Sequence, residues 1–191
     1  MQELTKEMGS EDFLEKGFKD VLKKVSLEKN LRIPDEIISY ISGVMSLYYR
    51  GIPLYLIDIS ETSPFKKYKA RGDVSLLLVG LFTEWIERAN RPISEKDYIK
   101  AGKLNYYNAY MYLNLNFGEV EREFYDILSS SFDITNMLLT HMDIFRDISE
   151  NFERYALLLK EYRAENLQTV RLFDIFNELR QSQLKKFLDD L

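Results

Sequence analysis

The 191-residue chain has no cysteine and only one histidine, His141, and one tryptophan, Trp85. Without thiols there is no disulfide, no thiolate zinc or iron–sulfur site and no cysteine nucleophile. The lone histidine closes most of the remaining metal chemistry. A ferritin-like di-iron bundle needs Glu-x-x-His twice, whereas Leu138 stands three residues before His141 and no second histidine exists. A Gly-x-Ser-x-Gly elbow, a phosphate loop, a dinucleotide fingerprint and a paired-histidine protease motif are also missing. No metal or cofactor is expected. There is no basic block either: 31 acidic and 26 basic residues leave a net charge of −5. That balance argues against nucleic acid, where Lys and Arg must displace counterions from phosphate.

Long apolar runs are lacking as well. The longest, around Ile37–Tyr49 and Val74–Phe82, fall short of the ~20 residues a membrane span needs. The opening "MQELTKEMGSEDFLEK" is charged and has no signal-peptide core. A cytoplasmic protein without membrane contact is the expectation, and the Lys- and Glu-rich, Cys-free composition suits a thermophile.

What the chain does have is apolar and aromatic mass: 46% of residues are hydrophobic, and Phe (12) and Tyr (13) dominate the aromatics, enough for a well-filled core. Its 4 prolines and 8 glycines fall mostly between segments of helical periodicity. Ser10 suits the N-cap of a first helix with Phe13, Leu14, Gly17, Phe18, Val21, Leu22 and Val25 on one side. Pro34 suits the first turn of a second carrying Ile37, Ile38, Ile41, Val44, Met45 and Tyr48. "LYLIDI", Leu54–Ile59, reads as a buried helical turn, since an isolated strand would have no partner. Ser63-Pro64 begins a third helix that either runs through to Arg88 or breaks at Gly72 and restarts with Asp73 as a cap. Ser94 with Asp97 forms a capping box for a fourth. Gly118 precedes a fifth, and Asp133 or Thr135 caps a sixth, unless these last two are one bent helix.

The fold class expected is therefore all-α: a single bundle of about six helices with a long C-terminal helix. Residues 1–150 make the core. Residues 151–191, free of Pro and Gly, form a helix or helix pair packed on that core or at a dimer interface.

"RGDVSLLLVGLFTEWIER", Arg71–Arg88, sets Gly72, Asp73 and Gly80 in the most apolar stretch. A helical glycine costs about 1 kcal/mol against alanine, so both glycines imply close approach of another helix or room for an aromatic ring. Asp73 is either a cap, a buried carboxylate neutralised by Arg, Lys or Tyr, or a ligand-facing group; left unpaired it would be too costly.

"GDVSLLLVGLF" followed by "DYIKAGKLNYYNAY" resembles a pattern in a family of uncharacterised helical bacterial proteins of about this length. That pattern is Gly-Asp-x-x-Leu-x-x-x-Gly-x-Phe, then Tyr-x-x-x-Gly-(Lys/Arg)-x-x-Tyr. Matching residues are Gly72, Asp73, Leu76, Gly80, Phe82, Tyr98, Gly102, Lys103 and Tyr106, while Asn105 replaces a frequent alanine. The resemblance implies a shared fold and carries over no catalytic residue. It points to a meeting of Asp73, Lys103 and Tyr106 between the third and fourth helices, with Gly72, Gly80, Gly102 and Phe82 structural.

Other polar groups read as structural. His141 sits among Ile134, Met137, Leu138, Ile144, Phe145 and Ile148, where a hydrogen-bonded histidine is expected. Asp143, Asp147 and Glu150, like Glu84 and Glu87, step along one helix face; with Arg146, Arg154 and Arg88 nearby, a solvated charged face is expected. The tyrosine-rich "NYYNAYMYLNLNF" reads as core and interface packing, not base stacking, because no positive charge adjoins it.

The function expected is non-catalytic association, most simply as a homodimer, through Phe173, Phe176, Leu184, Phe187 and Leu188 or with a protein partner. The alternative is a small-molecule sensor with a pocket lined by Asp73, Lys103, Tyr106 and Tyr98. An enzyme ranks third, with Glu84, Glu87, Asp143 and Asp147 as its carboxylates.

Overall fold

The computed structural model describes residues 2–49, 63–83, 86, 94–125 and 133–165, with side chains for 13–47, 63–83, 86, 94–122 and 133–165. Among the described residues there are five helices and no strand: α1 (Gln2–Glu28), α2 (Asp35–Tyr49), α3 (Pro64–Leu81), α4 (Glu95–Tyr125) and α5 (Ile134–Glu165). "LYLIDI", Glu84, Glu87, and the proposed interface residues Phe173, Phe176, Leu184, Phe187 and Leu188 lie outside the described residues.

Among the described residues the helix count is five and not six for a physical reason. The expected break at Gly118 is a kink inside α4, at Asn116 (φ −123°, ψ 26°). The Asn116 side-chain amide donates back one turn to the Tyr112 carbonyl at 3.0 Å, and the helix resumes past the kink. α5 uses the same device. Asn151 (φ −114°, ψ 25°) donates through its side chain to the carbonyl of Asp147 at 3.3 Å and to its carboxylate at 2.6 Å. The division at 150/151 thus coincides with a kink. The helix continues past it and buries Phe152, Tyr155, Ala156, Leu158, Leu159 and Tyr162 in the core.

Helix ends follow local chemistry. Ser63 caps α3, its hydroxyl accepting from Lys66 N at 3.4 Å, with Pro64 at the first position. Asp97 accepts from both the backbone N–H (2.8 Å) and the hydroxyl (2.7 Å) of Ser94, and these bonds hold its carboxyl below the usual range. Asp133, not Thr135, caps α5 through Asn136 N at 3.0 Å. Ser10 is no cap, because α1 already runs from Gln2. α1 ends at Glu28, and in the turn that follows Asn30 N bonds Leu27 O (3.1 Å) while the Asn30 φ of 53° lets Leu31 N reach Ser26 O (2.9 Å). Arg154 of α5 then donates to the carbonyls of Leu31 and Arg32, pinning this turn to the bundle.

α3 is the central rod. Every residue from Gly72 to Phe82 is buried, which explains why this half of the helix is apolar all round, whereas the first half carries Lys66, Lys67, Lys69 and Arg71. It packs on α4 and α5, which also pack on each other; α1 packs on α2 and α5. The glycines permit this nesting. A Cβ at Gly80 would lie 2.8 Å from Leu159 Cδ1 and nearer still to Leu159 Cβ. One at Gly102 would overlap the Phe152 ring and sit 3.1 Å from Ser75 Cβ, and one at Gly72 would press on the Tyr106 ring at 3.0–3.1 Å. Each collision is with a neighbour that is itself buried, so no neighbour has room to retreat.

Candidate functional site

The most concentrated chemistry among the described residues lies where α2, α3, α4 and α5 converge on Asp73. This residue is 1% exposed and interior to a continuous α3, so it is a buried carboxylate and not an N-cap. Its Oδ1 accepts from the hydroxyls of Tyr40 (2.6 Å) and Tyr106 (2.8 Å), and its Oδ2 from Lys69 Nζ at 2.6 Å. One ammonium offsets one carboxylate, and two phenols add hydrogen bonds to it, the kind of partners a buried charge requires. The Tyr40 hydroxyl is held well above its ordinary value, first by burial and then by the adjacent Asp73 charge.

Aromatic rings seal the cluster. Tyr40 meets Tyr106, His141 and Phe145 edge-on at centroid distances of 6.4, 6.1 and 5.7 Å, and Tyr106 stacks with Phe145 at 6.0 Å. Lys69 Nζ lies 5.3 Å from the Tyr40 ring centre, a second attraction for its charge. Its side chain remains 27% exposed, so it forms the cluster's edge toward solvent. Gly72 lets the Tyr106 ring lie close against α3, since a Cβ there would sit 3.0–3.1 Å from the ring and push it away by a few tenths of an ångström.

The expected trio is brought together only in part. Asp73 and Tyr106 meet, but Lys103 pairs with Glu153 of α5, its Nζ 3.0 and 3.1 Å from the two carboxylate oxygens. The cation on Asp73 is Lys69, one turn earlier on the same helix. Tyr98 is fully buried in the first turns of α4, about 12 Å along the axis from Tyr106. Tyr40 and Lys69 were not singled out from sequence, yet both left a signal. Lys69 stands at i−4 from Asp73, and Tyr40 is the one aromatic hydroxyl early in an otherwise apolar α2 face that must find a partner.

His141 is half-buried, with Nδ1 2.7 Å from the Met137 carbonyl. A carbonyl only accepts, so the proton sits on Nδ1. Burial depresses this imidazole below its ordinary 6.5; the bond to Met137 opposes that shift, the Lys69 charge reinforces it and Asp73 opposes it. Asp143 pairs with Arg146 (3.1 Å) and Asp147 holds Asn151, while Arg154 is taken by backbone carbonyls. No group of three or more His, Asp or Glu able to hold a metal ion occurs among the described residues. No helix among them is long and apolar enough to cross a membrane.

A second feature is the outer face of α4. Leu104 (55% exposed), Tyr107 (49%), Met111 and Leu115 (72%) follow one another at helical spacing, opposite the buried Tyr106, Ala109 and Leu113. Not one residue from Leu104 to Gly118 is charged, in a chain of which 30% is. Comparison with family models, curated proteins and solved structures finds no match to this chain.

Proposed function

We propose that the protein is a non-catalytic helical association module, and that the outer face of α4 is its working surface. The carrying observation is the uncharged, partly exposed strip of Leu104, Tyr107, Met111 and Leu115. A solvent-facing helix side in a charge-rich protein ordinarily bears Lys and Glu. Depletion of charge with enrichment in Tyr and Met is the composition of an interface centre. Covering the exposed parts of Leu104 and Leu115 would contribute about 1–2 kcal/mol each.

The Asp73 cluster supports the sensor reading less well. Asp73 is 1% exposed and each of its oxygens already has a donor from within the chain, so a polar ligand would have to open the packed cluster to reach it. We read that cluster as the strut that fixes α2 and α4 on α3.

The test uses the cysteine-free background. Leu104→Cys and Arg146→Cys place thiols at two exposed helix positions, one inside the strip and one outside it. Labelled with a maleimide inside the expressing cells, the thiol at 104 should react several-fold more slowly than the one at 146. Equal reactivity would refute the reading.

A further inference from the structure

Resting on the reading of α4 as the working surface, we infer that its occupant is a second copy of this chain, packed antiparallel with Leu104 against the partner's Leu115. A surface that binds itself must not confront its own charge, and a protein of net charge −5 offers few places where two copies approach without repulsion. The strip from Leu104 to Leu115 is such a place.

The register follows from the sequence on either side. About a two-fold axis passing between Ala109 and Tyr110, Leu104 faces the partner's Leu115 and Asn108 faces the partner's Met111. The same axis sets Lys100 opposite the partner's Glu119 and Asp97 opposite the partner's Arg122. All four of these charged residues are exposed. Both ends of the strip therefore gain opposite-charge contacts, each made twice by symmetry. A parallel, in-register pairing would instead set each charge against its own copy. Self-complementarity of apolar centre and charged rim is the property an isologous interface needs.

Size sets the strength. Asp97 to Arg122 covers about 38 Å of helix in two segments that meet at the Asn116 kink, and a face about 10 Å wide makes roughly 400 Å² per copy. The total of about 800 Å² is below the range of stable complexes, so the dimer is reversible and its rim charges matter most at low salt.

Sedimentation equilibrium at low ionic strength on the full-length chain tests this, with Lys100→Glu, Glu119→Lys and the double swap Lys100→Glu/Glu119→Lys. The native chain should pass from monomer to dimer with concentration. Each single change converts two attractions into repulsions and should raise the dissociation constant about tenfold, and the double swap should restore it. Urea unfolding of each variant checks that these surface changes leave the fold intact. Singles and double behaving alike would overturn the inference. So would a native chain that is monomeric throughout, whether the face is bare or covered by residues 166–191 of the same chain. Thiol protection at position 104 in cells that is absent from the monomeric purified chain would then leave the association reading standing with a different partner.

Discussion

Asp73→Ala removes the one acceptor shared by three donors, and the structure allows its cost to be worked out. Tyr40 and Tyr106 would each keep a buried hydroxyl with its Asp73 partner gone, at about 1–3 kcal/mol apiece. Lys69, 27% exposed, can turn to water and adds little. The sum agrees with the ~3–5 kcal/mol typical of breaking a buried ion pair by removing one partner. Against a total stability of ~5–15 kcal/mol that is a large fraction. Far-UV circular dichroism in urea should show the midpoint falling by about 1–2 M. The decisive comparison is Asp73→Ala/Tyr40→Phe/Tyr106→Phe, which leaves a similar cavity but also removes the two hydroxyls that donated to Asp73. The triple variant should regain about 2 kcal/mol over the single one, since taking away all partners is cheaper than taking away the shared one. A single variant costing under about 1 kcal/mol, or a triple variant less stable than the single, would refute the strut.

Two further outcomes follow from the same packing. Gly80→Ala should destabilise by about 1–3 kcal/mol despite its better helix propensity, because Leu159 cannot yield, whereas Gly17→Ala, with open space around it, should stabilise by up to about 1 kcal/mol; parallel urea melts separate the two signs. Because burial depresses the His141 pKa, the unfolded chain binds the proton first, so this contribution is complete above 6.5 and lost as pH falls through and below it. His141→Gln should flatten the stability–pH curve on that acid side, and an unchanged curve would show that the imidazole is not responsible.

Much of this architecture could be read from residue spacing. Ser63-Pro64 and Ser94 with Asp97 mark helix starts because capping is local chemistry, and Gly72 with Gly80 announces close packing because a helical glycine needs a return. What escaped reading was tertiary. Lys69 and Lys103 are equally plausible partners for Asp73 until the phase of α4 is known, and that phase turns Lys103 toward Glu153. Gly118 suggests a helix boundary, but the distortion falls at Asn116, whose side chain bonds back to the Tyr112 carbonyl, and the helix continues past it. The tyrosine-rich run of α4 read as packing on all sides. Only its placement separates Tyr106, Ala109 and Leu113, which face the core, from Leu104, Tyr107 and Leu115, which do not.

The central claim is that this outward strip is covered at working concentration. Its most direct measurement is the maleimide labelling rate of purified Leu104→Cys across a wide range of chain concentration, with Arg146→Cys as reference. Protection at 104 that grows with concentration while 146 stays constant is the predicted result. A rate at 104 that tracks 146 at every concentration would contradict the account.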